Sequence, residues 1–463
     1  MSREISADYE TQYLFPRSLE EWVGPDDPAR FIREFVRQLD QRQLESDEQP
    51  DANDPKGRPH YGFELLLSVW LYGYVYGIRS SRQLERGCRE LLPLIWLAGT
   101  HQPDHNTLWR FWQRHRSVLR EVFQQSVKVA WEAKLIGMVL HAVDGTKIGA
   151  RASRRTGLHR EDLRRVLKAA DQRISEIERQ IEASRSSDQI DDRLPQDLTK
   201  QAALREKIRS ALEQLDEQQQ DHVHPNDPDA RMMIDGRGRT DFSYNAQAVV
   251  DEEAGVIVAA DVTNEANDQR QLGPMVDQVR DNIGANAETT VADSGYDTAE
   301  GLDHAEKSGA QVVVASKERL HEVDAYHSSR FIYDSDREQV QCPQGEWLSR
   351  QGTRHHRNKP HPLRTYRCSN MTCPVRGECT RDPRGRVIEI GPHHLARQRN
   401  RARLHDPASR EALRKRGAIV ERIFAEIKET LRFRRWTVAG IENVRAQWAL
   451  ICTAMNLRRI LFA

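Results

Sequence analysis

Residues 138–146 read Met-Val-Leu-His-Ala-Val-Asp-Gly-Thr, and the fold expected for the chain follows from this stretch. An apolar run of strand length ends at Asp144, directly before Gly145. A second run, Thr289–Ala292, ends in the same way at Asp293. Ligand sites of open α/β sheets collect beyond such strand ends. The two carboxylates are therefore predicted to lie at one rim of a sheet, within reach of the same cation.

Helical patterns surround these strands. Apolar residues recur at helical spacing through 29–39 and again through 63–71, and the predicted helices continue to about residue 137. Residues 162–219 carry two apolar seams separated by a polar break, which predicts an antiparallel helical hairpin. Residues 240–318 alternate between strand and helix, and 409–462 return to helix. We therefore expect an α/β (α+β) chain.

The sequence pattern suggests the following domain organisation. Residues 1–60 form an N-terminal arm with a first helix, and 61–137 form a helical domain. Residues 138–463 form a mixed-sheet core, interrupted by a helical hairpin at 155–225 and a loop-rich, Cys-rich insert at 320–395.

Composition excludes several classes of protein. Of 463 residues, 30% are charged and 38% hydrophobic, with a mean hydropathy of −0.76. No apolar run reaches the roughly 20 residues of a membrane span, and the first residues do not resemble a signal peptide. We expect a cytoplasmic protein without a membrane partner.

Net charge is zero, but the charge is unevenly distributed. Residues 1–60 hold 8 Lys and Arg against 14 Asp and Glu, whereas residues 381–463 hold 19 against 8. Such asymmetry is typical of a nucleic-acid surface at one end of a chain, although solvated helix faces explain it equally well.

A third acid follows in the helix around Glu421. Lys428 lies two turns further along and shares its face. A carboxylate and an ammonium so placed could hold a metal ion and a phosphate, while an exposed charge pair is the simpler interpretation. Glu426 and Glu429 are the nearest alternatives to Glu421.

Four of the six cysteines gather in one short window, at Cys342, Cys368, Cys373 and Cys379. Four thiolates suit a closed tetrahedral Zn²⁺ site, and reduced thiols without metal are the alternative. Cys88 and Cys452 lie in apolar helices and are interpreted as core.

Basic residues flank the acidic site and are candidates for nucleic-acid phosphate contacts, with solvated helix and loop charges as the alternative. Arg397, Arg399, Arg401 and Arg403 alternate before the Glu421 helix. The remaining candidates, which include one aromatic residue, are Arg416, Lys428, Arg432, Arg434, Arg435 and Trp436.

Taken together, these motifs resemble insertion-sequence transposases of the DDE type, which have a ribonuclease-H-like catalytic core. The matching segments are 77–85 and 103–107 in the helical domain, then 143–146, 227–231, 244–251, 292–297 and 420–428. The family pattern often has Arg four residues before the Glu. Here that position is Gly417, and Arg416 lies one place earlier.

The resemblance implies an activity and a set of site residues. Asp144, Asp293 and Glu421 would form the catalytic triad and bind two Mg²⁺ (or Mn²⁺) ions. The enzyme would bind terminal inverted repeats as a homodimer, cut a phosphodiester bond with water and join the freed 3′-hydroxyl to target DNA. A related nuclease without strand transfer and a DNA-binding regulator derived from a transposase are the alternatives.

Overall fold

A computed structural model describes most of the chain. The described residues are 18–39, 61–152, 157–187, 193–217, 221–224, 226–236, 238–318, 324–357 and 361–462. The acidic linker predicted at 41–59 lies outside them, as does the start of the N-terminal arm. The chain divides into two compact units, of which the first comprises 1–130, 427–433 and 449–463 and the second 131–426 and 434–448.

The first unit is helical, as the sequence predicts. Its helices are α1 (Pro28–Gln38), α2 (Phe63–Val75), α3 (Ser81–Glu90), α4 (Leu92–Leu97), α5 (His105–His115) and α6 (Leu119–Glu132). Side-chain caps fix two of the starts, because Asp27 accepts from the Ala29 amide and Asp104 from the Thr107 amide.

Aromatic side chains from α2 and α5 form the core of this unit. Trp70 packs against Trp112 with ring centroids 5.2 Å apart, and its indole N–H donates to the Leu108 carbonyl at 3.2 Å. Phe111 and Trp112 are buried. The aromatic residues that lie among arginines at 109–116 therefore include core residues.

The second unit is built on a mixed sheet. Its strands are β1 (Leu140–Gly149), β4 (Arg231–Ile234), β5 (Thr240–Asp251), β6 (Ile257–Thr263), β7 (Thr289–Ala292) and β8 (Val312–Val314). The order is β4-β5-β1-β7-β8, with β6 also paired to β5. Strand β1 is antiparallel to β5 and parallel to β7, and β7 is parallel to β8. Helices α9 (Leu272–Ile283) and α10 (Ala299–Lys307) accompany this sheet.

The predicted helical hairpin is present in the second unit. It consists of α7 (Arg160–Ser187) and α8 (Arg193–Glu217), closed at its base by the short pair β2 (Leu158–His159) and β3 (His222–Val223). Leu163 of α7 and Ile208 and Leu215 of α8 form its small core with Val223.

The Cys-rich insert has more regular structure than its sequence suggests. It contains β9 (Ile332–Asp334), β10 (Gln339–Gln341), β11 (Trp347–Arg354), β12 (Leu363–Arg367), α11 (Arg376–Cys379) and β13 (Val387–Ile390). The strands form an antiparallel sheet around a core that includes Tyr333, Leu348 and Tyr366. Most of the described residues of the insert do lie in loops and turns, as the sequence predicts. The small sheet is not predicted, because most of its strands are only three to five residues long.

Three further helices complete the described chain, α12 (His394–Arg403), α13 (Pro407–Glu429) and α14 (Ile441–Leu461). Among the helices of the described residues, none combines the length and the apolar character that crossing a bilayer requires.

Candidate active site

Asp144 and Asp293 lie side by side at one place on the mixed sheet. Strands β1 and β7 are parallel neighbours, and Val143 is paired with Ala292. Each aspartate is the next residue along its chain segment, but only Asp293 follows the end of its strand. Asp144 lies within β1, which continues to Gly149, so the prediction that a strand ends at Asp144 is wrong. The register therefore places the two carboxylates together, although well over a hundred residues separate them in sequence.

The Asp144 carboxylate is mostly buried and has two partners. One oxygen accepts from the Gly145 amide at 2.8 Å, and the other accepts from Nη1 of Arg416 at 2.6 Å. Burial raises the pKa of Asp144 above its ordinary value; the Arg416 guanidinium opposes this shift and the nearby Asp293 adds to it. The site therefore favours a cation next to Asp144, and Arg416 supplies that charge in this structure.

Asp293 ends its strand as a cap. Its Oδ1 accepts from the Gly295 amide at 2.7 Å at the start of a short 3₁₀ turn, Ser294–Tyr296. No other hydrogen bond or ion pair engages the carboxylate within the described part of the chain. It therefore retains an oxygen that a divalent cation could use.

Glu421 lies on α13, the helix that also carries Arg416. Its side chain is exposed, and a Cβ atom at Gly417 would lie 3.4 Å from its Oε1. In the described residues, no hydrogen bond or ion pair joins Glu421 to Asp144 or Asp293. The structure thus brings the two aspartates together and places Arg416, rather than the glutamate, in direct contact with one of them.

Two predicted DNA-contacting residues have internal partners in the structure. Arg435 donates to the carbonyls of Ala150 and Ala152, at 2.6 and 2.8 Å, and pairs with Asp241 at 2.9 Å. Trp436 is 2% exposed, and its indole N–H donates to the Ile148 carbonyl. Burial therefore corrects the expectation that the Trp436 ring contacts DNA, because the ring packs inside the protein.

The other predicted contacts near the end of α13 are more accessible. Arg432 and Arg434 are exposed, and Lys428 is partly buried. Arg432 and Arg434 are therefore more accessible than Lys428, and Arg435 is also exposed despite its internal partners.

The alternating arginines of α12 are bound within the protein. Arg397 makes two hydrogen bonds to Asp297, at 3.0 and 3.1 Å. The other ion pairs are Arg399 and Arg403 with Glu306, and Arg401 with Glu318. These contacts join α12 to the chain that follows Asp293. In this structure the charges predicted to neutralise DNA phosphates are therefore already paired with carboxylates.

The four cysteines of the insert surround one end of its small sheet, and none forms a disulfide. Cys342 follows β10 in a tight turn, where the Gly345 amide donates to its carbonyl at 2.9 Å. Cys368 follows β12, and Cys379 ends α11. Burial raises the pKa of the Cys379 thiol; Arg386 opposes this, and the thiols of Cys342, Cys368 and Cys373 add to it.

The effect of the other three thiols on the pKa of Cys379 indicates that the four sulfurs lie near one another. They are not arranged as a preformed metal-binding site. Across the described ranges, no three or more His, Cys, Asp or Glu side chains are arranged as a group that could hold a metal ion. This finding covers both the cysteine cluster and the acidic site.

Sequence reasoning missed a buried polar group that adjoins both aspartates. It consists of Asn245 and Gln247 on β5, Tyr296 in the turn after Asp293, and Asp268 in the loop after β6. The available signal was the pair of polar residues two apart in the otherwise largely apolar stretch 244–250, because side chains two apart share one face of a sheet.

Comparison with known families identifies two segments. Residues 341–461 match the model of a family described as a transposase DDE domain, and residues 17–114 match one described as a transposase domain (DUF772). The first segment contains the four cysteines of the insert and Glu421, and the second contains α1 to α4 and most of α5. Asp144 and Asp293 lie between the two segments. A search of curated proteins finds no significant match.

Proposed function

We propose that this chain is a DNA transposase of an insertion sequence, acting on the ends of its own element, because residues 341–461 match a transposase DDE domain and residues 17–114 match a transposase domain. It binds the terminal inverted repeats, cuts a phosphodiester bond at each end and joins the freed 3′-hydroxyl to target DNA. It works as a homodimer that holds two ends, in the cytoplasm and associated with the nucleoid.

The observation that carries this proposal is the pairing of Val143 with Ala292, which sets Asp144 beside Asp293. Both side chains offer oxygen ligands only, which suits Mg²⁺ or Mn²⁺, and one or two carboxylates are the usual protein share of a Mg²⁺ site. The raised pKa of Asp144 fits this assignment, because a buried carboxylate beside another needs a cation.

Glu421 is proposed as the third ligand for a pair of divalent ions. Its helix already reaches Asp144 through Arg416, and the Glu421 side chain is exposed on that helix. Bound ions would supply Lewis acidity to the phosphate and lower the pKa of the attacking water. The residues of the chain hold the carboxylates in place and keep Asp144 largely shielded from bulk water.

The chemistry consists of two displacements at phosphorus. Water attacks the phosphodiester and loses a proton, and the 3′-oxygen leaves and takes up a proton to become a hydroxyl. That hydroxyl then loses its proton as it attacks a target phosphodiester, and the target's own 3′-oxygen leaves and takes up a proton. Arg432, Arg434 and Lys428 are the proposed phosphate contacts from the predicted set, and Arg416 contacts DNA only after it leaves Asp144.

We further propose that Cys342, Cys368, Cys373 and Cys379 bind a structural Zn²⁺. The support is the mutual electrostatic influence of their thiols and the packing of three of them against the core of the small sheet. Binding would draw the sulfurs into a tetrahedral set and stabilise the insert.

The test uses the purified chain, DNA carrying the element ends, and Mg²⁺. We expect Asp144→Asn, Asp293→Asn and Glu421→Gln each to lower end cleavage by at least about 1000-fold, since each removes a ligand charge at the reacting phosphate. DNA affinity should change less than threefold. Glu429→Gln is the matched control and should cleave normally.

Mapping the products separates the alternatives. Joined DNA is expected, whereas cut but unjoined ends would indicate a nuclease. Binding without cleavage in Mg²⁺ or Mn²⁺ would indicate a regulator. Normal cleavage by Glu421→Gln together with loss in Glu429→Gln would move the third ligand to Glu429.

A further inference from the structure

Asp268 lies in the loop between β6 and α9 and accepts hydrogen bonds from the sheet. Its Oδ1 accepts from Nδ2 of Asn245 and from Nε2 of Gln247, both at 2.7 Å. Nζ of Lys147 lies 3.4 Å from the same oxygen. One carboxylate oxygen therefore joins β1 and β5 to the loop.

The network extends to the turn that follows Asp293. Gln247 is fully buried, and its Oε1 accepts from the hydroxyl of Tyr296. Gln247 is also paired with Gly145 in the register of β1 and β5. A continuous set of contacts thus runs from Asp268 through Gln247 to the chain segments that carry both proposed catalytic aspartates.

Two glycines bring Asp268 close to these segments. A Cβ atom at Gly145 would clash with Nε2 of Gln247 and would lie 2.8 Å from Oδ1 of Asp268. A Cβ atom at Gly295 would lie 3.3 Å from Oδ2 of Asp268. Neither glycine has a positive φ. Close approach, rather than backbone conformation, is therefore the reason for glycine at both positions.

We propose that Asp268 is a positioning residue, which fixes the backbone beside Asp144 and Asp293 by holding the buried amides of Asn245 and Gln247. This inference rests on the proposed function. Buried amide donors without an acceptor are costly, so loss of the carboxylate would force both side chains to rearrange against the two glycines.

The test compares three variants of the full chain. Asp268→Ala removes the acceptor, and Asp268→Asn keeps an acceptor oxygen of the same shape but removes the charge. Asp277→Ala is the matched control, because Asp277 also accepts from two side chains, His304 and Ser308. In the described residues, no side-chain hydrogen bond joins either of those two to the segments around the aspartates.

We expect Asp268→Ala to lower single-turnover cleavage at saturating DNA at least tenfold, with DNA affinity within twofold of the unmodified chain. Asp268→Asn should recover to within about threefold, and Asp277→Ala should cleave normally. Equal impairment of Asp268→Ala and Asp268→Asn would overturn positioning through the amides. Normal cleavage by Asp268→Ala would overturn it as well.

Hydrogen–deuterium exchange gives a readout that does not depend on activity. Exchange should accelerate in peptides covering 144–149 and 293–298 in Asp268→Ala, but not in Asp277→Ala. If the unmodified chain does not cleave element ends, the proposed function fails, and this exchange difference alone decides the role of Asp268. Unchanged exchange in both peptides would overturn the inference.

Discussion

The position of Arg416 on its helix decides which group its side chain contacts. The family pattern often carries Arg where this chain has Gly417, and here the arginine is one residue earlier on the same helix. One step along a helix turns a side chain by about 100°, yet the long guanidinium still reaches Asp144 at 2.6 Å. A Cβ atom at position 417 would be in ordinary van der Waals contact with Glu421, at 3.4 Å from its Oε1, so the glutamate does not require glycine there. The sequence suggests that Arg416 contacts DNA, and the structure places it on a proposed catalytic carboxylate.

His394 provides a pH-dependent prediction for another single residue. Burial lowers its pKa to about 4, with contributions from Arg401 and Arg397. Since the unfolded histidine has its ordinary pKa of 6.5, the folded form stays neutral while the unfolded form takes up a proton. The contribution of the neutral His394 to the free energy of unfolding is therefore fully present above pH 6.5 and is lost as pH falls towards 4. At pH 5 the expected loss is about 2 kcal/mol.

Denaturant unfolding of His394→Phe at pH 7 and pH 5 measures this contribution. Between pH 7 and pH 5, the free energy of unfolding of the variant should fall by about 2 kcal/mol less than that of the unmodified chain. His405→Gln, at an exposed position, should behave like the unmodified chain. The same pH sensitivity in His394→Phe would contradict the assignment.

Among the elements, α12 is fastened to the chain after Asp293 by ion pairs. Asp297 is 3% exposed and depends on Arg397 for its charge partner. Arg397→Ala should therefore lower the free energy of unfolding by about 3 kcal/mol, because it leaves a buried carboxylate unpaired. Arg399→Ala should cost less than about 1 kcal/mol, since Arg399 is half-exposed.

Salt titration of DNA binding tests the competing role of this helix. A lost phosphate contact lowers the slope of log affinity against log salt by about 0.9. Arg397→Ala should leave that slope unchanged. A reduced slope, with an unchanged free energy of unfolding, would show that α12 contacts DNA.

The small sheet of β9 to β13 leads to a prediction about metal. We expect purified protein to contain stoichiometric zinc, and Cys368→Ser to lose it together with stability of the insert, because thiolate ligands hold the turns at one end of that sheet. Elemental analysis measures the zinc content and thiol titration counts the free thiols, both in the unmodified chain and in Cys368→Ser. Cys88→Ala, in the helical unit, should retain zinc; four titratable insert thiols without zinc in the unmodified chain would refute the site.

In the molecule as a whole, the helical unit depends on residues from the end of the chain. Residues 449–463 belong to it, and Leu450, Ile451 and Met455 are buried. Within this unit Nδ2 of Asn456 donates to Oγ of Ser126 at 3.2 Å. The helical fold is therefore assembled from segments that lie at opposite ends of the sequence.

A fragment of residues 1–130 should not fold cooperatively by itself, because part of its core is missing. Joining residues 427–433 and 449–463 to it through flexible linkers should restore a sigmoidal thermal transition in circular dichroism. The same fusion with Leu450→Asp and Met455→Asp is the control and should not fold. Cooperative unfolding of the 1–130 fragment alone would contradict this dependence.

Local patterns in the sequence predict many of the elements and single out the candidate acids, but they do not predict the strands of the Cys-rich insert. The apolar run before Asp293 marks the end of β7, whereas β1 continues past Asp144 to Gly149, and helical spacing marks the helical unit, the hairpin and the helix of Glu421. Such patterns can be read from sequence because they record which side of one element is buried.

Which of these residues lie close together in space depends on tertiary contacts. The register of β1 with β7 sets the two aspartates together, and the fold gives Arg416, Arg397 and Arg435 internal partners. It also brings Asp268 against both segments that carry the aspartates. None of these contacts produces a repeating pattern in the sequence, because each joins residues from elements far apart in the chain. An arginine that binds phosphate and one that binds a carboxylate look alike until the fold supplies the partner.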